Sequence, residues 1–464
     1  MLFRSLGTWR RAGAQQVAVM VVRRGTGEVL ASVGSNDYRD RHSGALDFSR
    51  AMRSPGSTLK PFIYALALER GLLKPSDVMA DLPEGSSGIN NADGHFLGPM
   101  LPRQALANSR NVPATNLLRS VGLDSTFRFL RDLGLHDVEA PADSFGLSMA
   151  IGSLPTSLDR LMRAYGALAD DGRLNDLVWF DGQRRQAPTR VVSVDTARLI
   201  TSFLADPMAR LPSFPRYGPL EYPFPVALKT GTSQGYRDAW TIAWSQKFIV
   251  GVWLGRGDAG TMSQLSGASS AGRLAHALML KLHNARPGDL EDASFPPPPG
   301  RVPVELCVFG GRRTADCGQT LTEWLKPEDV PPAEDAPLPR RSADAEQQPV
   351  VIPAVHRAWA RDAGYRVADA PGGDGVVKLT IASPENNSRI WNNPDTPPAL
   401  NRIALKTVVE PRVPQVVWYV DGEPFAVTDP DKPVFWTIKR GAHSFQVRLP
   451  LQPGASRTIQ IVVE

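Results

Sequence analysis

The sequence predicts an α+β domain, in which an antiparallel sheet packs with helices and a helical subdomain, followed by an all-β, immunoglobulin-like C-terminal domain. Strand patterns open and close roughly the first 290 residues, and helical patterns lie between them, an order typical of domains whose terminal strands meet in one sheet. After residue 374 seven short alternating segments follow, which favours a sandwich. The predicted boundaries are an N-terminal remnant at 1–14, the α+β domain at 15–290, a proline-rich linker at 291–373 and the β-domain at 374–464.

The composition is that of a soluble globular protein, since 42% of the 464 residues are hydrophobic and 21% are charged. The net charge of +5 is mild and the basic residues form no long run, so no nucleic-acid partner is predicted. The sequence has no apolar run long enough for a transmembrane helix, and MLFRSLGTWRRAGAQQ lacks the apolar stretch of a signal peptide. The two cysteines and seven histidines show no metal-site spacing, and neither a metal nor a cofactor is predicted.

Glycine and proline mark the elements of the first domain. Residues 16–33 predict a β-hairpin whose turn contains Gly25 and Gly27. The stretch 58–71, apolar on nearly every face, predicts a buried helix. Further predicted elements are helices within 101–133, 154–171 and 270–284, and three antiparallel strands in VALKTGTS, DAWTIAW and FIVGVWL.

The predicted linker contains Cys307 and Cys317, with nine residues between them in a glycine-containing loop that can bring the sulfurs together. A disulfide is expected if the protein works outside the cytosol, and two free thiols are the alternative. In the β-domain, Asp421-Gly422 predicts a hairpin turn. Trp418 and Trp436 are expected in the sandwich core rather than on a ligand platform.

The first motif is Ser57-Thr58-Leu59-Lys60. On a helix, positions i and i+3 share a face, so the lysine amine can lie beside the serine hydroxyl. Pro61 is tolerated only in a first turn, which predicts that the helix begins near Ser57 and places the hydroxyl at the positive end of the helix dipole. Taken alone, the motif is weak, and a capped helix with a surface lysine explains it better.

Two more motifs follow along the chain. Ser109-Arg110-Asn111 stands between helical stretches and, alone, indicates an ordinary helix N-cap. The run 229–233, KTGTS, ends an apolar strand. Its glycine suggests close approach to the backbone, and its lysine and threonines suit a carboxylate, whereas a strand with a β-bulge is the alternative.

Two competing matches are disfavoured by their context. Residues 231–235 fit G-x-S-x-G, with His276 and His283 downstream, but that hydrolase motif requires a helix after its serine and a strand is predicted instead. Residues 255–260 fit G-x-G-x-x-G, but a poor helix pattern follows and no acidic residue stands at the required distance. A glycine-rich hairpin loop explains the second match better.

Together, S-x-x-K, a serine-containing triplet and K-T-G in this order are the signature of penicillin-binding proteins and class A β-lactamases. The run 53–71, RSPGSTLKPFIYALALERG, and the run 229–240, KTGTSQGYRDAW, closely resemble the corresponding segments of class A penicillin-binding proteins. The resemblance covers about residues 15–284. The linker with its cysteines and the β-domain resemble the arrangement in the 1C subgroup without its glycosyltransferase domain.

The resemblance implies roles for the site residues. Ser57 would attack a D-Ala-D-Ala stem peptide, Lys60 would take its proton, and Ser109 and Lys229 would relay protons or stabilise charge. It further implies Asn111 as the ligand of the substrate amide, Thr230, Gly231 and Thr232 as the carboxylate site, and the N–H groups of Ser57 and Thr232 as the oxyanion hole.

The leading hypothesis is therefore a serine D,D-transpeptidase that cross-links peptidoglycan and is acylated by β-lactams, at the periplasmic face of the bacterial inner membrane. A D,D-carboxypeptidase or β-lactamase, or a non-catalytic penicillin-binding sensor or scaffold, are the alternatives. A cell-wall protein or glycan is the expected partner of the β-domain.

Three features depart from the family pattern, and one is the acidic segment near Asn91 and Asp93, which matches its family counterpart only partly. Class A proteins carry an anchor and a glycosyltransferase domain before the nucleophile, so a truncated product, a split gene or a misplaced start is expected. Arg110 stands where related enzymes carry a small or apolar residue, which affects the expected shape of the cleft.

Overall fold

The computed structural model describes residues 2–82, 89–283, 294–307, 311, 313–314, 320–334, 350–351, 357, 359–361, 367–368, 377–390, 402–410, 413–450 and 454–463. The chain divides into two compact units. The first comprises Met1–Met79, Met100–Arg313 and Gln319–Ala333, and the second comprises Ala80–Pro99, Thr314–Gly318 and Glu334–Glu464. No helix within these described residues is long and apolar enough to cross a membrane.

A five-stranded antiparallel sheet is the centre of the first unit, with the order β2-β1-β9-β8-β7. The first strand is buried from Gln16 to Val22 because it lies inside the sheet between two other strands, and the predicted hairpin and the three later strands are all present. The strands are β1 (Gln16–Arg23), β2 (Val29–Val33), β7 (Ala227–Thr232), β8 (Asp238–Trp244) and β9 (Phe248–Gly255).

Helices cover both faces of this sheet. On one face Trp9, Leu274 and Met279 join a core cluster with sheet residues such as Val252. On the other face the lack of a side chain at Gly251 leaves room for a packed helix. The helices are α1 (Leu2–Arg11), α2 (Lys60–Glu69), α3 (Pro102–Ala107), α4 (Asn111–Val121), α5 (Leu123–Asp132), α6 (Leu158–Ala169), α7 (Val194–Ala205) and α8 (Ala271–His283).

The start of α2 differs from the prediction. Ser57 lies in a 3-10 turn, Gly56–Leu59, and the α-helix begins only at Lys60. The Lys60 N–H donates to the carbonyl of Ser57 in 3-10 fashion. Pro61 has no N–H with which to form the next bond, so regular α-helical bonding starts after it. As predicted, α2 is buried along nearly its whole length.

Helix α7 is an element that the sequence reasoning left unassigned. Its N-cap is Ser193, whose hydroxyl accepts a hydrogen bond from the Thr196 N–H. Ser193 and the apolar spacing that follows are ordinary helix signals.

Part of the predicted linker is folded into the first unit. Strands β10 (Val302–Cys307) and β12 (Thr320–Leu325) form an antiparallel pair. Their leucines are buried in a cluster with Leu101 and Ala209, which explains why this stretch is ordered despite its prolines. Cys307 is buried and disulfide-bonded, while Cys317 lies outside the described residues, so the predicted pairing stays a prediction.

The second unit contains a β-sandwich. A three-stranded sheet has the order β16-β18-β21, and a five-stranded sheet has the order β17-β23-β22-β19-β20. All seven predicted segments form strands, and β17, too short for its pattern to be noticed, pairs parallel to β23. The strands are β16 (Lys378–Ser383), β17 (Ser388–Ile390), β18 (Arg402–Glu410), β19 (Val416–Val420), β20 (Glu423–Thr428), β21 (Val434–Thr437), β22 (Gly441–Arg448) and β23 (Ile459–Val463).

Trp418 and Trp436 are buried in the core of this sandwich, as predicted. Asp421 and Gly422 both have positive φ angles in the turn between β19 and β20.

The remaining described strands form short pairs: β3 (Met79–Asp81) with β4 (Gly98–Met100), β5 (Arg173–Leu174) with β6 (Thr189–Arg190), β11 (Arg313–Thr314) with β13 (Ala333–Glu334), and β14 (Val350–Val351) with β15 (Val367–Ala368).

Trp418→Ala is expected to lower the free energy of unfolding of the second unit by about 3–5 kcal/mol, because it empties the centre of the sandwich. Urea denaturation followed by fluorescence measures the change. Val427→Ala, at a side chain 61% exposed on β20, is the matched control and should change stability by less than about 0.5 kcal/mol. Equal effects of the two substitutions would contradict the assignment of Trp418 to the core.

Candidate active site

Ser57 lies on a firmly held turn. The Thr58 hydroxyl donates to the Pro55 carbonyl over 3.0 Å, and the Tyr165 hydroxyl donates to the Thr58 carbonyl over 2.6 Å. The Trp240 indole N–H donates to the Ser54 carbonyl over 2.8 Å. Ser57 itself is half-buried, and within the described part of the chain its hydroxyl makes no hydrogen bond. The turn is therefore fixed while the hydroxyl stays available for reaction.

Lys60 is fully buried, and its amine reaches the turn formed by Ser109, Arg110 and Asn111. Nζ donates to the Ser109 carbonyl over 2.5 Å, to the Arg110 carbonyl over 3.0 Å and to Asn111 Oδ1 over 2.7 Å. Three acceptors match the three N–H groups of a charged ammonium. The alternative of a surface lysine does not apply, and Lys60 links the first motif to the second.

The turn at Ser109 has an unusual backbone. Ser109 has φ 59°, in the left-handed region that non-glycine residues rarely adopt. Its N–H donates to the Leu106 carbonyl over 3.0 Å at the end of α3. The N-cap of α4 is Arg110, and no side chain caps that helix. The Ser109 hydroxyl therefore does not cap α4 and bonds to a different partner.

That partner is Lys229, which is buried on β7. Its Nζ donates to Ser109 Oγ over 2.7 Å and to the Thr230 carbonyl over 2.8 Å. Burial lowers the pKa of Lys229 to about 7. A lysine with that pKa exchanges its proton near neutral pH, as acid–base chemistry requires.

The third motif packs directly against the Ser57 turn through glycines. A Cβ on Gly231 would lie 2.4 Å from the Pro55 carbonyl oxygen, and a Cβ on Gly56 would lie 2.5 Å from the Thr232 carbonyl oxygen. Behind the turn, a Cβ on Gly152 would lie 2.3 Å from the Gly56 nitrogen. Real Cβ atoms do not approach backbone atoms so closely, so three backbone segments are in contact with no side chain between them.

The two threonines of the motif differ in exposure. Thr230 is buried, and its carbonyl accepts from Lys229. Thr232 is half-buried, and its Oγ1 accepts a hydrogen bond from the Gly267 N–H over 3.0 Å. The structure thus brings the three motifs together around Ser57, with Thr230, Gly231 and Thr232 along one edge strand of the sheet.

The competing hydrolase motif is not assembled. Ser233 is buried and donates from Oγ to Asp238 Oδ2 over 2.9 Å. The residues after Ser233 form a 3-10 turn and then β8 rather than the α-helix that the hydrolase motif requires. His276 contacts the Glu221 carbonyl, and His283 contacts Ser245. Neither histidine reaches Ser233. Among the described residues there is also no cluster of His, Cys, Asp or Glu that could hold a metal ion.

Two residues that support the site were missed by the sequence reasoning. Tyr165 holds the Ser57 turn from α6, as described above. Asn108, immediately before Ser109, is buried and bonds to a loop about 100 residues further along the chain. Neither belongs to a local pattern, so no signal in one sequence pointed to them.

Comparison with models of known protein families gives two matches. The family model of the penicillin binding protein transpeptidase domain matches residues 17–279, and that of the penicillin-binding protein C-terminus family matches residues 374–449. Both segments that were predicted to resemble this family lie within the first match.

Individual relatives show the same likeness. The chain is 32% identical over 326 residues to penicillin-binding protein 1C of Escherichia coli (strain K12), covering 68% of this chain and 41% of that protein. It is 31% identical over 297 residues to penicillin-binding protein 1A of Rickettsia bellii, covering 54% of this chain and 36% of that protein. The chain therefore spans less than half the length of these relatives.

A solved structure shows the same fold. The crystal structure of penicillin-binding protein 1A from Haemophilus influenzae aligns with a TM-score of 0.54 at 20% identity, covering 69% of this chain and 54% of that chain. The predicted α+β fold of the first domain is confirmed.

Lys229→Met is expected to raise the free energy of unfolding by about 1 kcal/mol below pH 7, because it removes a charge that is costly to bury. The pKa of Lys229 is about 7 in the folded protein and ordinarily 10.5, so between these values the unfolded chain binds more protons. The stability of the unsubstituted protein should rise with pH across that window, and the advantage of the variant should shrink. Urea denaturation at several pH values measures both.

The matched control is Lys247→Met, at an exposed lysine of the same unit. It should give no such pH-dependent difference. A constant difference between Lys229→Met and the unsubstituted protein from pH 6 to 10 would show that Lys229 does not have a lowered pKa.

Proposed function

Because the chain belongs to the penicillin-binding protein transpeptidase family, we propose that it is a serine D,D-transpeptidase that cross-links peptidoglycan stem peptides through an acyl-enzyme on Ser57. One observation carries the proposal. Lys60 and Lys229, from different motifs, both bond to the turn 109–111, next to the one motif serine whose hydroxyl makes no hydrogen bond within the described residues.

In the acylation step, Ser57 Oγ forms a bond to the carbonyl carbon of the penultimate D-alanine. The C–N bond to the terminal D-alanine breaks, and the leaving amine gains a proton. Lys60 stands one helical turn after Ser57 and is the amine we assign to take the hydroxyl proton. The pair formed by Ser109 and Lys229 is suited to return a proton to the leaving amine, since the pKa of Lys229 is about 7.

Lys60 must lose one proton before it can act as a base. Its Nζ donates to three acceptors, and a positive charge on the buried amine of Lys229 would favour the loss of that proton. Binding of a substrate that engages Asn111 competes for one of those acceptors. Substrate binding therefore favours the neutral form of Lys60.

The substrate would lie along β7, the edge strand of the sheet. We assign the Asn111 amide, whose orientation is set by its bond to Lys60, to the substrate peptide group. Thr230, Gly231 and Thr232 would hold the terminal carboxylate. The N–H groups of Ser57 and Thr232 would form the oxyanion hole, and each such donor typically lowers the barrier by about 3–4 kcal/mol.

The acyl-enzyme would be resolved by an amine of a neighbouring stem peptide, which regenerates the Ser57 hydroxyl. A β-lactam would acylate Ser57 in the same way, but its product would persist because the acceptor amine cannot reach the ester. Because the proposed substrate is peptidoglycan, we propose that the reaction takes place at the periplasmic face of the inner membrane. We further propose a cell-wall protein or glycan as the partner of the C-terminal unit.

Ser57→Ala should abolish covalent labelling by a fluorescent penicillin without loss of folding, because a half-buried hydroxyl contributes only about 1 kcal/mol to stability. The unsubstituted protein should carry one adduct per chain, mapped to Ser57 by peptide mass spectrometry. Ser233→Ala is the matched control and should still be labelled. A folded protein that takes up no label, or an adduct on Ser233, would overturn the proposal, and rapid turnover of the adduct would favour a hydrolase.

The rate of acylation should depend on pH through Lys229. Above pH 7 the neutral form of Lys229 dominates and no longer supplies the proton for the leaving amine, so the second-order rate constant should fall by about tenfold for each unit of pH, and below pH 7 it should level off. Stopped-flow measurement with a chromogenic cephalosporin follows this directly. A rate that is independent of pH between 6 and 9 would exclude protonated Lys229 from the rate-limiting step.

A further inference from the structure

We propose that Asn108 is a positioning residue, whose side-chain amide fixes the position of the Ser109 hydroxyl. The inference rests on the proposed function, in which that hydroxyl is paired with Lys229. It concerns a residue outside the three motifs, and it explains how a strained turn is kept in a single conformation.

The Asn108 amide is buried, 4% exposed, and both its nitrogen and its oxygen are hydrogen-bonded. Nδ2 shares its two N–H groups among the carbonyls of Gln104, Ala209 and Leu211, at 3.0, 2.7 and 2.9 Å. Oδ1 accepts from the Ser213 N–H over 2.9 Å. One bond stays within α3, and the other three reach the loop that follows α7.

The loop 206–213 is itself fixed to the body of the unit. Arg210 is buried and donates to the Leu220 carbonyl over 2.7 Å and to the Leu204 carbonyl over 2.6 Å. Asp206 accepts from the backbone N–H groups of Met208 and Ala209. Asn108 is thus tied to a rigid neighbour rather than to a mobile surface loop.

A second anchor holds α3 from its other end. Arg103 forms a two-pronged pair with Glu323 of β12, with Nε to Oε1 at 2.9 Å and Nη2 to Oε2 at 3.0 Å. Its Nη1 also donates to the Ser202 carbonyl over 2.8 Å. Both charged groups are almost fully buried, and such fork-to-fork pairs fix direction as well as distance. The folded part of the predicted linker therefore supports the segment that carries Ser109.

Support of this kind is needed at Ser109. A serine in the left-handed region costs free energy locally and keeps that conformation only when its surroundings impose it. Relaxation of the turn would move Oγ away from Lys229 Nζ, which now lies 2.7 Å away. A displacement of about 1 Å in a catalytic group can lower a rate by about 100-fold.

The test compares Asn108→Ala with Gln16→Ala. Gln16 is a matched control because it is also a buried amide, 2% exposed, with three side-chain bonds to the loop containing Asn36, Asp40 and Ser43. Both variants should lower the thermal midpoint. Only Asn108→Ala should lower the acylation rate constant of the penicillin-bound protein, by about 10- to 100-fold, with the dissociation constant of the non-covalent complex changed less than about threefold.

Rates are normalised to the folded fraction, so that a purely structural role would leave them unchanged. If the unsubstituted protein is labelled at Ser57 and Asn108→Ala acylates at the same rate, the positioning role is wrong while the proposed function stands. If the unsubstituted protein is not labelled at all, the proposed function fails first. Should Asn108→Ala not fold, the isosteric Asn108→Asp, which replaces the Nδ2 donors with an oxygen, gives the same test. Loss of these donors should slow acylation by about 3- to 10-fold, and an unchanged rate would overturn the inference.

Discussion

The amines of Lys60 and Lys229 are both buried and both bond to the turn 109–111. The site depends on the hydrogen-bond acceptors that these two buried amines need. A buried ammonium must find acceptors or lose its proton. Lys60 finds three acceptors in the turn, whereas Lys229 has two and a lowered pKa. The turn presents two carbonyls, an amide oxygen and a hydroxyl together only because Ser109 adopts a left-handed backbone. The conformation of one residue thus brings together hydrogen-bond partners of both lysines.

Most of the fold could be predicted from local patterns. The hairpin pattern of β1 and β2 and the apolar runs of β7 to β9 indicated the sheet, and the uniformly apolar α2 indicated a central helix. The strands at 302–325 were read as linker because Pro303 and the charge at Glu323 obscure their alternation. Glu323 is buried only because Arg103 lies opposite, and that partner stands 220 residues away in the chain. Burial of a charge by a distant partner leaves no local trace.

The residues of the candidate site could be predicted from the motifs, but the hydrogen bonds that join the motifs could not. Spacing alone placed Lys60 beside Ser57, whereas the structure adds a 3-10 turn between them and directs the amine to the turn 109–111. The pairing of Ser109 with Lys229 joins residues 120 positions apart. Asn108 was missed for the same reason, since its partners follow α7. Motif chemistry is readable from residue types, while hydrogen-bond partners depend on the tertiary fold.

The contact between Gly152, Gly56 and β7 has a consequence for how this molecule can vary. Where backbone touches backbone, every side chain larger than hydrogen is excluded, so a mutation at these glycines loses the whole site rather than tuning it. Adaptive change, including escape from an inhibitor that mimics the substrate, must therefore arise at positions whose side chains line the approach to Ser57. The steric exclusion at Gly56, Gly152 and Gly231 thus limits the substitutions that this part of the site can accept.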